Sequence, residues 1–136
     1  MEIKFHEVLL KKRFPLAISR GVRGDSSNLF VAYHREGITG WGEAEPGKNE
    51  NAGTIAEVKN QLIQLIKSGI ENLSPQEITL IARAMKIAPC ALAGLDIAIW
   101  DWKAKKANLP LHRFLNFPLP TVCLLYTSPS PRDVEE

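Results

Sequence analysis

The sequence predicts an α+β fold in which a three-stranded antiparallel meander is followed by three helices. Two observations support this class. Apolar and polar residues alternate in the first part of the chain, as in half-buried strands, whereas from about residue 53 the apolar residues recur at helical spacing. Strands that precede helices, rather than alternating with them, are typical of α+β domains. The length of 136 residues corresponds to one domain with its own core.

Three strands are predicted ahead of the helices. The first covers residues 2–14 and ends at Pro15, which has no backbone N–H to donate. The second covers 28–34. The third covers 38–44 and follows a turn at Gly37, where a positive φ is expected. Glycines within the third strand either weaken it or indicate that another backbone approaches closely.

The first two predicted helices carry clear start signals. Thr54 and Glu57 have the spacing of a capping box, and Gly69 is the expected end of the first helix. Ser74 is the expected N-cap of the second helix, with Pro75 at its first position and a glutamate at its third.

The third predicted helix runs from Pro89 to about Ala107, and Asn108 is its expected C-terminal stop. Basic residues near its end suit the helix dipole. The following segment "LHRFLNF" adds one short helical turn. Small side chains let this helix approach another surface closely, and it has several: Ala88, Ala91, Ala93, Gly94 and Ala98.

Composition and charge restrict the kinds of partner that this protein is expected to bind. The net charge of +2 is small and the Lys and Arg residues are scattered, so no nucleic-acid partner is expected. The most apolar run, "APCALAGLDIAIW", is too short to span a bilayer and contains Asp96, and residues 1–20 lack the apolar core of a signal peptide. Cys90 and Cys123 have neither metal spacing nor a disulfide framework. A cytoplasmic protein without a membrane partner is therefore expected.

The connection between the first two predicted strands is long for a hairpin. It contains "LAISRGVRGDSS", whereas hairpin loops usually have about 2–5 residues and longer ones tend to be functional or mobile. Arg20 and Arg23 are each followed by glycine, and a guanidinium beside flexible backbone suits bidentate binding of a carboxylate or phosphate. A solvated, mobile loop is the alternative, and the residues alone leave both open.

Two aspartates of the third helix, Asp96 and Asp101, do not have the spacing of a metal site. At about 100° per residue, their separation along the chain places them roughly 140° apart around the helix, so they cannot converge on one ion. Asp101 precedes Lys105 by one helical turn, and such a surface pair contributes about 0.3–0.5 kcal/mol. Structural roles are expected for both aspartates, with a buried polar contact for Asp96.

Other polar and aromatic side chains that invite a functional interpretation lie on separate elements: His6, His34, His112, Trp41, Trp100, Trp102, Glu43 and Glu45. Surface or packing roles are expected for the histidines, although a ligand or catalytic role is left open. The tryptophans suit core or interface packing. The two glutamates either anchor a loop as hydrogen-bond acceptors or are exposed. The sequence has no phosphate-binding glycine loop, nucleophile elbow or zinc pattern.

Three segments, in the order expected of one family, carry a resemblance. "GITGWGEAEP" and "ALAGLDIAIWDWKAKKANLPLHRFLNF" resemble the third strand and closing helix of the N-terminal capping domain of the enolase superfamily, in its muconate-lactonizing branch. "FPLAISRGVRGDSSNLFVAY" resembles the loop region of the dipeptide epimerases of the L-Ala-D/L-Glu type. The resemblance covers residues 1 to about 122.

The resemblance implies that residues 1–119 are the capping domain of a Mg²⁺-dependent isomerase. In the family this domain packs on a modified TIM barrel, and its first long loop folds over the barrel mouth and helps to choose the substrate. Barrel lysines abstract and return an α-proton, while Mg²⁺ held by barrel carboxylates stabilises the enediolate. Muconate cycloisomerase, o-succinylbenzoate synthase and N-acylamino-acid racemase are the alternative subgroups.

The resemblance also implies which loop residues bind the substrate. Arg20, by its place after "FPLAIS", matches an arginine that binds the substrate in dipeptide epimerases. Arg23 is a second candidate, since the alignment of this loop can shift by a few residues. Ile18 and Ser19 complete the candidate set. The substrate is expected to be a dipeptide or another small carboxylate.

No catalytic residue and no metal ligand can be assigned to this chain from the resemblance. A TIM barrel needs at least about 200 residues, and only residues 120–122 would belong to its beginning. The chain alone is therefore expected to be inactive and to bind no Mg²⁺, with the missing barrel as its partner. A homo-oligomer of the complete enzyme is left open. The competing hypotheses are a stand-alone α+β binding module and a partner of a separately encoded barrel.

The last segment of the chain, residues 123–136, differs from the rest in composition. "CLLYTSPSPRD" resembles the in-frame translation of a common transposase-based sequencing adapter. A natural disordered Ser/Pro tail is the alternative, but disorder would not fix each residue in turn. We therefore expect "PLPTV" to be the last native stretch and the natural gene to continue into a barrel strand.

Overall fold

The computed structural model describes residues 1–18 and 21–119, and it has the predicted α+β architecture. The strands are β1 (Glu2–Leu10), β2 (Leu16–Ile18), β3 (Gly21–Arg23), β4 (Ser26–Arg35) and β5 (Ile38–Ala44). The helices are α1 (Ile55–Lys67), α2 (Pro75–Ala84), α3 (Pro89–Lys106) and the short α4 (Leu111–Phe114). Strands β1, β4 and β5 form the predicted antiparallel meander in that spatial order. The adapter-like segment and the predicted start of a barrel lie outside the described residues.

Strand β1 is shorter than the predicted strand over residues 2–14. It ends at Leu10, which pairs with Ser26, the first residue of β4. Beyond this pair no further β4 residue can continue the ladder. Phe14 instead lies in the connection to β4, where its side chain is 73% exposed. Pro15 therefore follows the strand at a distance and does not end it.

The turn between β4 and β5 agrees with its prediction. Arg35 pairs with Ile38, so only two residues, Glu36 and Gly37, connect the strands. Their φ angles are 54° and 75°. Two positive φ angles are the requirement of the two-residue turn whose twist matches that of a hairpin.

The core lies between one face of the meander and the helices. Leu29 and Val31 of β4 are fully buried on this face, and each such side chain stabilises the fold by about 1.5–3 kcal/mol. Helix α3 lies against β4 and β5, and both α1 and α2 pack on α3. The helices contribute most of the remaining core side chains: Val58, Leu62, Leu65, Ile78, Ala82, Ala91, Leu95, Ala98 and Ile99.

Two glycines of β5 allow α3 to lie directly on the sheet. A Cβ atom at Gly42 would overlap the carbonyl oxygen of Gly94, and one at Gly40 would overlap that of Ala98. Of the two interpretations of these strand glycines, close backbone approach is therefore confirmed. The small residues of α3 meet the sheet at this contact, since Gly94 and Ala98 are both buried.

Both predicted capping boxes are present. The Thr54 hydroxyl accepts a hydrogen bond from the Glu57 backbone N–H at 3.2 Å, and the Glu57 carboxylate accepts one from the Thr54 N–H at 2.9 Å. Ser74 and Glu77 make the same reciprocal pair at the start of α2. Each pair satisfies backbone donors that the first helical turn leaves unbonded.

The predicted helix stops are also confirmed. The chain turns with positive φ at Gly69 after α1 and at Asn108 after α3, with values of 88° and 53°. The segment predicted to form one short helical turn is α4, which packs against α3 through the Trp100 and Phe114 rings at a centroid distance of 6.2 Å.

Candidate functional site

The long connection between β1 and β4 contains a second, small β-sheet. Strands β2 and β3 pair antiparallel with one another, and Ala17 lies opposite Val22. Gly21 has a φ of 123°, which only glycine adopts readily. The Val22 side chain is 71% exposed, so packing on the meander does not bury this hairpin. The described part of the connection thus forms a second β-hairpin, separate from the main sheet in its pairing.

The residues predicted to bind substrate lie along this hairpin. Ile18 pairs with Gly21 at the end of the hairpin nearest its turn, whereas Arg23 pairs with Leu16 at the end nearest the meander. Their backbones therefore lie at opposite ends of the two short strands. Ser19 and Arg20 lie outside the described residues. The assignment of these four residues to substrate binding stays a prediction.

A side-chain hydrogen bond connects the two stems of the hairpin. The Asp25 carboxylate accepts a hydrogen bond from the Lys12 backbone N–H, with 2.9 Å between Oδ1 and N. This bond lies just beyond the Leu10–Ser26 pair, where the ladder between β1 and β4 stops. The Asp25 side chain thus adds one further hydrogen bond between the two stems.

An open cavity of about 300 Å³ lies beside this stem. It is lined by residues at the start of β4 and by the segment between β5 and α1: Asp25, Ser26, Ser27, Glu45, Pro46, Gly53, Thr54 and Ile55. The lining combines two carboxylates with several hydroxyl groups. This cavity was not predicted, because it brings together segments that are distant in the sequence.

The segment between β5 and α1 is held in place by backbone and amide contacts. Gly47 and Ala52 form an isolated bridge around a 3-10 turn at Lys48–Glu50. The Gln61 side chain donates to the Asn51 carbonyl oxygen at 2.8 Å. Its other amide atom accepts from the Ala88 backbone N–H at 2.7 Å. The cavity wall opposite the hairpin stem is therefore anchored to both α1 and the start of α3.

Glu43 and Glu45, predicted either to anchor a loop or to be exposed, take different roles. The Glu43 carboxylate accepts a hydrogen bond from the Asn28 amide of the neighbouring strand. Asn28 is only 4% exposed, and its carbonyl oxygen has no hydrogen-bond partner in the described part of the chain. Glu45 instead lines the cavity.

The two aspartates of α3 have structural contacts, as predicted. The Asp101 carboxylate accepts from the Trp41 backbone N–H at 2.8 Å and from the Lys105 ammonium at 2.6 Å. Asp96 accepts from the Trp100 side chain, and its partial burial raises the pKa of its carboxyl group above the usual value. The two carboxylates thus have different neighbours and do not face one site.

The tryptophans and one histidine divide between core and surface. Trp102 is a core residue, and its indole N–H donates to the Arg35 carbonyl oxygen at 2.9 Å. Trp100 is half-buried. Trp41 is 45% exposed and lies against the His6 ring at a centroid distance of 5.6 Å. Core packing is confirmed for Trp102, whereas Trp41 belongs to an exposed face of the sheet.

The acidic, histidine and cysteine side chains are the potential metal ligands of this chain. Within residues 1–18 and 21–119, no group of three such side chains is placed to hold a metal ion. His34 is engaged with the Thr39 hydroxyl at 2.9 Å. None of the helices in this same part of the chain is long and apolar enough to cross a membrane.

The sequence matches one protein family over most of its length. Residues 1–116 match the family described as mandelate racemase / muconate lactonizing enzyme, N-terminal domain. This span runs from β1 to the end of α4 and includes the hairpin.

Curated relatives carry a more specific name. The chain is 57% identical over 120 residues to a hydrophobic dipeptide epimerase of Flavobacteria bacterium strain MS024-2A, covering 88% of this chain and 34% of the relative. It is 46% identical over 115 residues to a protein of the same name from Roseobacter litoralis, covering 85% of this chain and 33% of that protein. The chain thus spans about one third of the length of the curated relatives it matches.

Solved structures of dipeptide epimerases share the fold. The enzyme of Enterococcus faecalis V583, complexed with Mg and the dipeptide L-Leu-L-Tyr, superposes with a TM-score of 0.73 at 25% identity, over 83% of this chain and 33% of that one. The enzyme of Cytophaga hutchinsonii, complexed with Mg and D-Ala-L-Val, gives a TM-score of 0.72 at 25% identity, over 84% of this chain and 32% of that one.

Proposed function

This chain belongs to the mandelate racemase / muconate lactonizing enzyme family, whose N-terminal domain it contains, and from this premise we propose that it is the capping domain of a dipeptide epimerase. The complete enzyme would invert an α-carbon of a dipeptide by removing and returning a proton. This chain would contribute substrate selection. A barrel with the proton-transferring residues would follow it.

The observation that carries the proposal is the 57% identity to a hydrophobic dipeptide epimerase over 120 residues. The aligned length extends over nearly the whole described chain, so the β1–β4 connection that carries the hairpin falls within the related region. The share of the relative that is covered, 34%, supports a missing part of about twice this length.

The hairpin is the part of this chain that we assign to the substrate. Its Val22 side chain is exposed and thus available to another domain, and its stem borders an open cavity lined by polar groups. Arg20 and Arg23 are the candidates to bind a substrate carboxylate, because a guanidinium can hold both carboxylate oxygens. Ile18 and Ser19 would contact the substrate beside them.

Two dipeptide classes fit this role. Hydrophobic dipeptides are the first choice, since the relatives with the higher identities are named for them. L-Ala-D/L-Glu is the second. A relative of that name from Escherichia coli is 29% identical over 124 residues, and an arginine on the hairpin would suit the extra carboxylate of glutamate.

Mg²⁺ is assigned to the missing barrel and not to this chain. The structures of relatives complexed with Mg support its presence in the complete enzyme. The described residues of this chain do not fit a metal site, since they bring no three potential ligands together. No step of the reaction is therefore assigned to a metal on this domain. A cytoplasmic location of the complete enzyme is part of the proposal, since this chain shows no disulfide framework.

Exposed apolar side chains favour a capping domain over a stand-alone binding module. Leu80 of α2 is 66% exposed and Ile97 of α3 is 48% exposed. Phe117 and Leu119, which follow α4, are 62% and 69% exposed. Such side chains on several elements are consistent with a surface that another domain covers.

A domain exchange tests the proposal. Residues 1–119 would replace the corresponding part of the Flavobacteria hydrophobic dipeptide epimerase, and epimerisation of hydrophobic dipeptides would be measured. Retention of activity, with a KM changed more than kcat, is the expected result. A soluble, folded chimera without activity on any dipeptide would contradict the proposal. The control is the parent enzyme with its own capping domain removed, which should be inactive.

A further inference from the structure

The described side chains at and just before the hairpin of β2 and β3 pack little against the rest of the domain. Phe14, just before it, is 73% exposed and Val22 within it is 71% exposed. Exposed side chains of this kind contribute little packing energy. Phe14 and Val22 therefore do little to fix the orientation of the hairpin, whereas the two stems connect it directly to β1 and β4.

Within the described part of these stems, one side-chain hydrogen bond is found, between the Lys12 backbone N–H and the Asp25 carboxylate. We propose that Asp25 is a positioning residue, which fixes the angle between the hairpin and the cavity beside its stem and so sets the affinity for substrate. This inference deepens the proposed function and rests on it where it concerns substrate.

Two features single out Asp25 for this role. Its Oδ1 atom lies 2.9 Å from the Lys12 nitrogen, which is the usual length of a good hydrogen bond. Asp25 also lines the cavity together with Glu45 and Thr54, so the same residue belongs to both the stem and the proposed binding space. A loss of the bond would free the hairpin without disturbing the core, since no buried residue takes part in it.

The chemistry of the bond supplies a matched pair of variants. Asp25→Ala removes the acceptor, whereas Asp25→Asn keeps a carbonyl oxygen in the same place and removes only the charge. Glu7→Ala is a control for the loss of an exposed carboxylate on the neighbouring strand, where Glu7 lies 3.8 Å from the Lys59 ammonium.

The first experiment measures tryptic cleavage after Arg13 in this 136-residue chain. Cleavage there follows the population of the opened stem when opening is fast. Because a hydrogen bond of ordinary net strength is lost, Asp25→Ala should be cleaved roughly 3–10-fold faster than the unmodified chain. Asp25→Asn and Glu7→Ala should match the unmodified chain. Equal cleavage of Asp25→Ala and the unmodified chain would overturn the proposal.

The second experiment uses the complete enzyme. Asp25→Ala should raise KM for the dipeptide roughly 3–10-fold and leave kcat within about twofold, and Asp25→Asn should restore KM. A change in kcat alone, or no rescue by asparagine, would overturn the positioning role. If the unmodified complete enzyme acts on no dipeptide while cleavage still follows the predicted order, the proposed function fails and the positioning of the hairpin stands.

Discussion

The Asp101 carboxylate of α3 accepts a hydrogen bond from the Trp41 backbone N–H at 2.8 Å, on the side of β5 that faces away from β4. Lys105, one helical turn later, bonds both this carboxylate and the Thr39 carbonyl oxygen, at 2.6 Å and 3.0 Å. Two side chains of α3 therefore form hydrogen bonds to one N–H and one C=O on the free edge of β5. An open strand edge is a template for unwanted pairing, and this arrangement covers it.

Removal of the Asp101 acceptor should destabilise the domain. Asp101→Ala leaves the exposed Trp41 N–H without its partner and should lower the free energy of unfolding by about 0.5–1.5 kcal/mol, the net contribution of a typical hydrogen bond. Asp101→Asn keeps an acceptor and should recover at least half of this loss. Urea unfolding followed by circular dichroism measures both. Equal stability of the alanine variant and the unmodified chain would show that the edge is not held by Asp101.

The contact between β5 and α3 should not tolerate a methyl group. Gly42→Ala places a Cβ against the Gly94 carbonyl oxygen, and the backbones must separate to admit it. Overpacking of this kind usually costs about 1–3 kcal/mol, and more where backbone atoms are involved. Thermal unfolding should show a clear loss of stability.

Gly24→Ala is the matched control for this prediction, because a Cβ at Gly24 meets no atom within 4 Å. Its stability should stay within about 0.5 kcal/mol of the unmodified chain. A similar loss in both variants would mean that the close approach of the backbones is not the cause.

Asp96 should reduce the stability of the domain at neutral pH but not in acid, which is the reverse of the usual effect of a carboxylate. Burial raises the pKa of its carboxyl group in the folded state, so folding disfavours its charged form. The resulting cost is absent below the unfolded-state pKa and fully present above the folded-state pKa. Asp96→Asn should therefore stabilise the domain at pH 7, since the amide oxygen can still accept from Trp100.

The gain from Asp96→Asn should shrink as the pH falls through the folded-state pKa and disappear below the ordinary value for aspartate, 3.8. Denaturant unfolding at several pH values checks this sign. A gain that is larger in acid than at neutral pH would contradict the assignment of the raised pKa to burial.

The natural gene should differ from this sequence after Val122. Genomic resequencing of the locus should replace the segment that resembles an adapter with a continuous reading frame of roughly 200 or more codons, the length of a TIM barrel. The first residues of this extension should form an apolar barrel strand. The same "CLLYTSPSPRD" segment followed by a stop codon in genomic DNA would contradict the prediction.

The sequence predicts correctly those elements whose signals lie within a few residues of one another. The capping boxes at Thr54 and Ser74 and the turn at Gly37 each depend on neighbouring side chains, so the sequence alone was sufficient. The sequence allows two roles for the glycines in β5, a weakened strand or a close approach of another backbone. Only the position of α3 decides between them.

Less of the candidate site could be predicted from the sequence. Strands β2 and β3 have three residues each, too few for alternation to distinguish them from a loop. The sequence does not indicate a structural role for Asp25. Its partner is a backbone N–H thirteen residues away, and because nearly every residue has a backbone N–H, the sequence cannot identify which one is bonded. The cavity joins Asp25 to Thr54, which come together only through the pairing of β4 with β5 and the packing of α1.

The central claim, that this chain is the capping domain of a dipeptide epimerase, is tested most directly by proton exchange at the substrate. The enzyme completed from its natural gene would be incubated in deuterium oxide with hydrophobic dipeptides and with L-Ala-L-Glu, with and without Mg²⁺. We predict Mg²⁺-dependent deuterium incorporation at a dipeptide α-carbon by the complete enzyme, and none by the 136-residue chain alone. Exchange catalysed by the short chain alone, or a folded complete enzyme that exchanges no dipeptide, would contradict it.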